Sequence, residues 1–155
     1  MNKLNEEYQD KKVLVTGHTG FKGSWLCILL NKLGADVYGY ALEPPTVPSL
    51  FVEANVGELI TSYIGDIRNL NYLNKVISKI KPETVIVQGD TNTVLAASIS
   101  SLKSKIPVSH VESGLRSFDW RMPEEHNRIA TDHISELLFA PTKNSQKNLK
   151  NERVH

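Results

Sequence analysis

Short apolar runs alternate along this chain with longer stretches in which apolar residues recur at helical spacing. The runs are rich in β-branched residues and end at polar residues or glycine, which is typical of buried strands. We predict six strands, at residues 12–16, 36–41, 59–64, 84–87, 107–111 and 137–140. Helices are predicted at residues 21–33, 50–56, 66–80, 93–103, 123–134 and 143–151. This alternation indicates an α/β fold with a parallel, doubly wound sheet.

Residues with helix-terminus preferences mark several of these boundaries. Gly34 follows the first helix, as glycine often does at a C-terminal cap. Ser49 and Asp66 are candidate N-caps of the next two helices, and Pro123 suits the first turn of a later one. The helix after Asp66 has one apolar face, formed by Leu70, Leu73, Val76, Ile77 and Ile80.

Length, charge and cysteine content exclude several classes of protein. The chain has 155 residues, the usual size of one domain, and its 18 basic and 17 acidic residues nearly balance. This balance argues against a nucleic-acid partner or an anionic membrane surface. Cys27 is the only cysteine and lies in an apolar run, so we expect a buried residue, no internal disulfide and a reducing compartment. Residues 1–12 lack the apolar core of a signal peptide and residues 25–30 are too few to span a bilayer, so we predict a cytoplasmic protein.

Three glycines lie at the predicted turn between the first strand and the first helix. Gly17 permits a tight turn, Gly20 lets the backbone approach a pyrophosphate and Gly23 lets the helix pack closely against the strand. The alternative is a tight turn that binds no ligand. Asp66 and Ile67 follow the third strand, where such domains often place an acid and an apolar residue against adenine. A helix cap at Asp66 is the structural alternative, and both can hold.

The segments KKVLVTGHTGFKGSWL, GYALEPPTVPSLF and IGDIRNL resemble the CDP-glucose 4,6-dehydratase family, which consists of NAD-dependent extended short-chain dehydrogenases/reductases. The resemblance covers about residues 11–83. It implies an NAD site whose pyrophosphate is bound at Gly17, Gly20, Phe21, Lys22 and Gly23 and whose adenine is bound at Asp66 and Ile67.

The catalytic residues of that family have no counterpart at the expected place. Its Tyr-x-x-x-Lys motif should follow the fourth strand, and no residues there match it. Tyr8 and Lys12 have the spacing but precede the first strand. We therefore expect no dehydratase chemistry.

Acidic residues follow the fourth and fifth predicted strands. Asp90 and Glu112 should lie at one carboxyl-end edge of the sheet, where open α/β sheets bind ligands. Glu124 and Arg128 are one helical turn apart. Carboxylates that lie close together raise one another's pKa, which suits proton transfer, and Arg128 could hold an acid or clamp a phosphate. Structural alternatives remain open: Asp90 and Thr91 as a helix cap, Glu124 as a partner of the helix dipole, and a surface Glu124–Arg128 ion pair.

The histidines of this half give a weaker signal. His110, at a strand end, is expected to be packed or hydrogen-bonded. His126 and His133 are two turns apart on one helix, but no third ligand accompanies them, so we predict no metal site.

The segments VIVQGDTNTVLAA and IPVSHVESGLRSFDWRMPEEHNRIATDHISELLFAPT resemble the non-hydrolysing UDP-N-acetylglucosamine 2-epimerase family over about residues 82–154. The resemblance implies that Asp90, Glu112, Glu124 and Arg128 are active-site residues. It further implies abstraction of the C2 proton, anti elimination of UDP and re-addition on the opposite face, without a cofactor and often in a homodimer. A second Rossmann domain supplies most UDP contacts and a catalytic histidine in that family. The 155 residues include no counterpart of it, so we expect an activity that is incomplete on its own.

Both families have the strand order 3-2-1-4-5-6, and the change between them falls near residues 85–88. We therefore predict a single Rossmann-like domain over residues 1–155, chimera-like, with a dehydratase-like half at 11–83 and an epimerase-like half at 84–155. Three functions remain open. The first, which we favour and which would make the protein an isomerase, is an epimerase fragment that acts on UDP-N-acetylglucosamine. The second is a non-catalytic module that binds NAD or a nucleotide sugar of the CDP-glucose class, and the third is a truncated or recombinant product without independent activity.

Overall fold

The computed structural model describes residues 2–154, with side chains from residue 5 onward, so residues 1 and 155 of the predicted domain lie outside the described part. Within it, the strands are β1 Lys12–Thr16, β2 Asp36–Ala41, β3 Thr61–Ile64, β4 Thr84–Gln88, β5 Val108–Val111 and β6 Leu137–Phe139. The helices are α1 Asn2–Tyr8, α2 Phe21–Lys32, α3 Leu50–Glu53, α4 Val56–Leu59, α5 Leu70–Ile80, α6 Asn92–Lys103, α7 Pro123–Ile134 and α8 Lys143–Asn151. The predicted α/β class and parallel strand order are confirmed, because the sheet runs β3-β2-β1-β4-β5-β6.

The chain divides into two compact units, of which the first ends at Thr84 and the second begins at Val85. This division falls where the predicted halves, residues 11–83 and 84–155, meet. That the chain forms a single domain stays a prediction.

The first unit packs its core around β1. The strand pairs with β2 in parallel, with Val13 beside Val37, and its apolar side chains are fully buried. Cys27 on α2 is also fully buried, and burial raises the pKa of its thiol to about 12. The prediction of a buried cysteine is therefore confirmed.

Two predicted elements of the first unit differ from the structure. Ser49 caps α3 as expected, by accepting a hydrogen bond from the Val52 amide. The helix then breaks because Asn55 adopts a left-handed conformation, with φ of +49°. A separate short helix, α4, extends to Leu59, so β3 begins only at Thr61.

The predicted N-cap at Asp66 is wrong. The α5 helix begins later, and the Asn69 side chain caps it by accepting from the Tyr72 amide. Asp66 instead accepts from the Arg68 amide and pairs with the Arg68 guanidinium. Four residues of the predicted apolar face of α5 are buried, while Leu70 is 45% exposed.

In the second unit, β4, β5 and β6 pair in parallel. Gln88 lies beside Val111, and Val111 beside Phe139, so these three strands end at one edge. The helices α6 and α7 pack against each other, and Pro123 occupies the first turn of α7 as predicted. In the part of the chain that the structure describes, every helix is too short or too polar to cross a bilayer.

Candidate functional site

Asp90 and Glu112 leave neighbouring strands of the second unit at the same edge. The Gly89 amide, just past β4, donates to the Val111 carbonyl at 3.1 Å. The Glu112 carboxylate lies against Gly89, since a Cβ on that glycine would be 3.5 Å from Glu112 Oε2. Glu112 itself has φ of +74°, a left-handed conformation that costs about 1–2 kcal/mol in a non-glycine residue. Such strain concentrates at sites where a side chain must keep one direction.

Arg128 holds the carboxylate of Asp90. Its Nε and one terminal nitrogen lie 2.9 and 2.6 Å from Asp90 Oδ2, and its other terminal nitrogen lies 3.0 Å from Glu125 Oε2. Burial alone would lower the pKa of Arg128, but its bonds to Asp90 and Glu125 raise it overall. Of the two roles considered for Arg128, the structure therefore favours holding an acid over clamping a phosphate.

The glutamate beside Arg128 is Glu125, in place of the Glu124 partner considered from the sequence. Glu125 is only 1% exposed, whereas Glu124 is exposed in the first turn of α7. The Glu125 carboxylate accepts from the Ser117 and Phe118 amides at 2.9 Å each. Burial would raise the pKa of Glu125, but these bonds, with those from the Ser117 hydroxyl and Arg128, lower it overall.

A second residue of α7, Asn127, fixes the backbone of the Asp90 turn. Its side-chain amide donates to the Asp90 carbonyl at 2.9 Å and to Asn92 Oδ1 at 3.0 Å. Thr91 precedes α6 without a side-chain cap bond. The Asp90 side chain is thus committed to Arg128, which disfavours the alternative of a helix cap.

His110 and Asp132 form a fully buried pair behind this turn. His110 Nδ1 lies 2.7 Å from Asp132 Oδ1, and its Nε2 lies 2.8 Å from the Gly89 carbonyl oxygen. The expectation that His110 is hydrogen-bonded is confirmed. The sequence alone did not single out Asp132, because its function depends on a partner 22 residues away in the chain.

Arg116 extends this pair towards α8. One of its terminal nitrogens lies 2.8 Å from Asp132 Oδ2, and the rest of the guanidinium holds Glu152 at 2.8 and 2.6 Å. Burial alone would raise the pKa of Asp132, but hydrogen bonds from His110, Arg116 and the Gly114 amide lower it overall. We therefore treat the Asp132 side chain as an ionised carboxylate.

The two histidines of α7 have different surroundings from His110. His126 contacts the Trp120 carbonyl at 2.9 Å and its ring lies 4.7 Å from the Trp120 ring, and His133 is exposed. Among the residues that the structure describes, no group of three or more His, Cys, Asp or Glu side chains could hold a metal ion.

In the first unit, the predicted glycine turn connects β1 to α2. Gly17 has φ of +73°, a left-handed conformation that favours glycine, and a Cβ on Gly23 would lie 2.1 Å from the Gly17 carbonyl oxygen, so Gly23 has no room for a side chain. Phe21 and Lys22 are exposed in the first turn of α2. His18 within the turn is buried, with Nε2 2.7 Å from Ser62 Oγ, and burial lowers its pKa to about 4.

Asp66 and Ile67 follow β3, as predicted. Hydrogen bonds from the Arg68 side chain lower the pKa of Asp66 to about 2, and the Tyr40 hydroxyl donates to the Asp66 carbonyl at 2.9 Å. The acid expected to contact adenine is therefore paired with a neighbouring arginine in this structure.

The sequence profile of the UDP-N-acetylglucosamine 2-epimerase family matches residues 57–155. The chain belongs to this family. UDP-N-acetylglucosamine 2-epimerase of Methanococcus maripaludis is 55% identical over 87 residues, which are 56% of this chain and 24% of the relative. The structure of UDP-GlcNAc 2-epimerase from Methanocaldococcus jannaschii superposes on 93% of this chain and 42% of its own, with a TM-score of 0.78 and 38% identity.

A second kind of relative matches a similar length of the chain. CDP-glucose 4,6-dehydratase of Salmonella typhimurium is 55% identical over 78 residues, which are 50% of this chain and 22% of the relative. The chain therefore spans about a quarter of the length of the curated relatives that it matches.

These matches confirm the epimerase resemblance and revise its extent. The epimerase profile begins at residue 57, well before the predicted change near residues 85–88. The dehydratase match supports the other resemblance. That the chain joins two different sources stays a prediction.

Proposed function

We propose that the acids at the strand ends of the second unit form the proton-transfer site of an epimerase that acts on UDP-N-acetylglucosamine. The observation that carries the proposal is the arrangement of Asp90 and Glu112, which leave paired strands at one edge while Arg128 and Asn127 hold Asp90 in place. A structure of the M. jannaschii relative contains UDP-GlcNAc and UDP, which supports this substrate class.

Inversion at a sugar carbon needs acid–base groups on both faces of the ring. One carboxylate removes the C2 proton and UDP leaves; a proton is then delivered to C2 from the opposite face while UDP adds back at C1. Asp90, Glu112 and Glu124 are the candidates for these roles. Arg128 and Asn127 would keep Asp90 in one orientation, which is how a rigid scaffold lowers the cost of positioning.

The charge of the site bears on how the nucleotide is bound. Asp90 and Glu112 follow the ends of neighbouring strands, and the guanidinium of Arg128 is bonded to two acids, Asp90 and Glu125. A diphosphate needs cations or free amide groups, and these acids would repel it. We therefore propose that the diphosphate is bound by residues outside this acid cluster.

The test is to graft this chain into the M. jannaschii epimerase in place of the part that superposes on it, 42% of the length of that enzyme. Formation of the C2 epimer from UDP-N-acetylglucosamine is then measured. We expect turnover by the graft and a loss of at least about 100-fold in its Asp90→Asn and Glu112→Gln variants, as expected for removal of an acid–base group. Glu136→Gln, which changes an exposed acid between α7 and β6, is the control and should leave the rate unchanged. A graft that folds but neither releases UDP nor forms epimer would contradict the proposal.

A second candidate function is binding of NAD by the glycine turn of the first unit. The close approach of Gly23 to Gly17 and the left-handed Gly17 support it, because this geometry lets a pyrophosphate reach the N-terminus of α2. Asp66 would have to leave Arg68 to contact adenine. Because the dehydratase Tyr-x-x-x-Lys motif is missing, we propose binding without catalysis.

Calorimetric titration with NAD tests this second candidate. Gly20→Ala should weaken binding at least about tenfold, because its methyl group would occupy the space that the pyrophosphate approaches. A Cβ there would meet the Gly17 oxygen at an ordinary 3.4 Å, so the fold should tolerate the change. Asp90→Asn is the matched control in the other unit. The absence of any heat of binding at millimolar NAD would exclude this candidate.

If both experiments fail, the third possibility remains, a product without independent activity. A homodimer, a CDP-glucose ligand and a cytoplasmic location stay predictions.

A further inference from the structure

His110 has no exposed surface, and both of its ring nitrogens contact oxygen atoms. Its Nε2 lies 2.8 Å from the Gly89 carbonyl oxygen, and its Nδ1 lies 2.7 Å from Asp132 Oδ1. A carbonyl oxygen only accepts hydrogen bonds, so Nε2 must carry a hydrogen.

The same reasoning applies to Nδ1 once the charge of Asp132 is fixed. Asp132 Oδ2 accepts from the Gly114 amide at 3.0 Å and from Arg116 at 2.8 Å. A carboxyl group whose one oxygen accepts from both an amide and a guanidinium is stabilised in its ionised form, which only accepts hydrogen bonds. Nδ1 of His110 must therefore also carry a hydrogen, and a ring with two N–H groups is an imidazolium.

A buried cation is stable only when it is paired and its remaining polar groups are hydrogen-bonded. The charged groups around His110 come from three elements: Asp132 from α7, Arg116 from the loop after β5, and Glu152 just after α8. With His110 cationic, two positive and two negative charges alternate along this chain of contacts. The cluster is then neutral as a whole.

These contacts close a ring around the Asp90 turn. From the carbonyl of Gly89, the ring runs through His110, Asp132 and Arg116 to the loop after β5. The same loop, at Ser117 and Phe118, is held by Glu125, which pairs with Arg128, which pairs with Asp90. The turn is therefore fixed from both sides by groups that depend on one another.

We propose that His110 is a buried imidazolium, kept charged by Asp132, and that it is the positioning residue that fixes the Gly89–Asp90 turn. The catalytic consequence of this proposal rests on the proposed epimerase function, whereas the charge of His110 and its bond to Gly89 do not. His110 would act on the reaction through Asp90 without touching the substrate.

Nitrogen-15 spectra of the histidine rings, recorded at pH 7 on the full chain labelled at histidine, test the charge directly. The His110 signals are assigned by their loss in His110→Gln. We expect two protonated ring nitrogens for His110 in the natural chain, and only one, Nε2, in Asp132→Asn. Asp119→Asn, which changes an acid that pairs with its neighbour Arg121, is the matched control and should leave both nitrogens protonated.

A neutral His110 ring in the natural chain would overturn the proposal, even if Asp132→Asn fails to fold. The catalytic consequence is measured separately in the epimerase graft. There, His110→Gln should lower kcat at least about tenfold and leave KM within about twofold, because a positioning residue does not bind substrate. An imidazolium in an inactive graft would contradict the proposed function alone. A changed KM with an unchanged kcat would overturn the positioning role.

Discussion

Two aspartates that follow strand ends are each paired with an arginine, but the two pairs differ in what they stabilise. In the first unit, Asp66 pairs with Arg68 two residues away, and the Arg68 side chain is 87% exposed. In the second unit, Asp90 pairs with Arg128 38 residues away, and the Arg128 side chain is 16% exposed. The first pair is a local surface contact. The second connects a strand end to a helix and belongs to a ring of buried groups.

The difference shows how a carboxylate held between distant elements is distinguished from one with a local partner. A local pair costs little to break and leaves the surrounding backbone unchanged. A pair between distant elements keeps its carboxylate in one direction, and breaking it leaves a partly buried charge without a partner. Substitutions at the long-range contacts should therefore cost more than substitutions at the local pair.

The buried centre of the ring should be the most sensitive position. Asp132→Ala leaves His110 and Arg116 without their shared carboxylate, and loss of one partner of a buried ion pair costs about 3–5 kcal/mol. Hydrogen exchange measured by mass spectrometry should show this loss in peptides of the second unit. Asp119→Ala removes an acid with only a local partner and should cause no measurable change. Equal effects of the two variants would contradict the contrast.

The first unit should respond to pH through His18. Its pKa in the folded state is about 4, below the ordinary 6.5 because of burial, so the ring stays neutral while the unfolded chain gains a proton. The first unit should therefore be fully stable above about pH 6.5 and lose up to about 3 kcal/mol as the pH falls towards about 4.

Urea unfolding followed by hydrogen exchange at several pH values checks this dependence. His18→Gln should flatten the curve between about pH 6.5 and 4. The carboxylates Glu125 and Asp132 have lowered pKa values, so their contribution to the second unit is present above the unfolded value and is lost only at more acidic pH. An unchanged slope in His18→Gln would show that another group causes the loss.

Removing the long-range arginine should have an intermediate effect. Arg128→Ala leaves Asp90 and Glu125 without their cation, and a hydrogen bond to a charged group contributes about 1.5–3 kcal/mol. The urea midpoint of the second unit should fall accordingly. A midpoint equal to that of the natural chain would mean that the Asp90 turn does not depend on this pair.

The local arginine should matter least. Arg68→Ala removes an exposed partner of a half-buried carboxylate, and pairs with an exposed, local arginine contribute little. The urea midpoint of the first unit should stay the same within error. A clear decrease would mean that local and long-range pairs are equivalent, against the contrast drawn above.

The sequence predicts the fold well because each element carries its own local signal. The strands at β1 and β2, and the helices α7 and α8, have the predicted bounds. The errors arise where backbone geometry overrides composition. Asn55 breaks a helix by its left-handed conformation, and Asn69 takes the capping role expected of Asp66.

The site is only partly predictable, for a related physical reason. Asp90, Glu112 and Arg128 could be chosen because their positions relative to strand ends and motifs are visible in the sequence. Which of two adjacent glutamates faces Arg128 depends on how α7 lies against the loop after β5. Asp132 likewise acquires its role only when His110 lies beside it, and no spacing in the sequence encodes that contact.

Deuterium incorporation at C2 of UDP-N-acetylglucosamine, followed by proton NMR in D₂O, tests whether the strand-end carboxylates transfer the C2 proton. The epimerase graft should exchange the C2 hydrogen for deuterium, because the proposed function assigns removal of that proton to the carboxylates at the strand ends. Asp90→Asn should abolish the exchange, and Glu136→Gln should leave it unchanged. Exchange that persists in Asp90→Asn, or a folded graft that releases UDP without any deuterium at C2, would contradict the account.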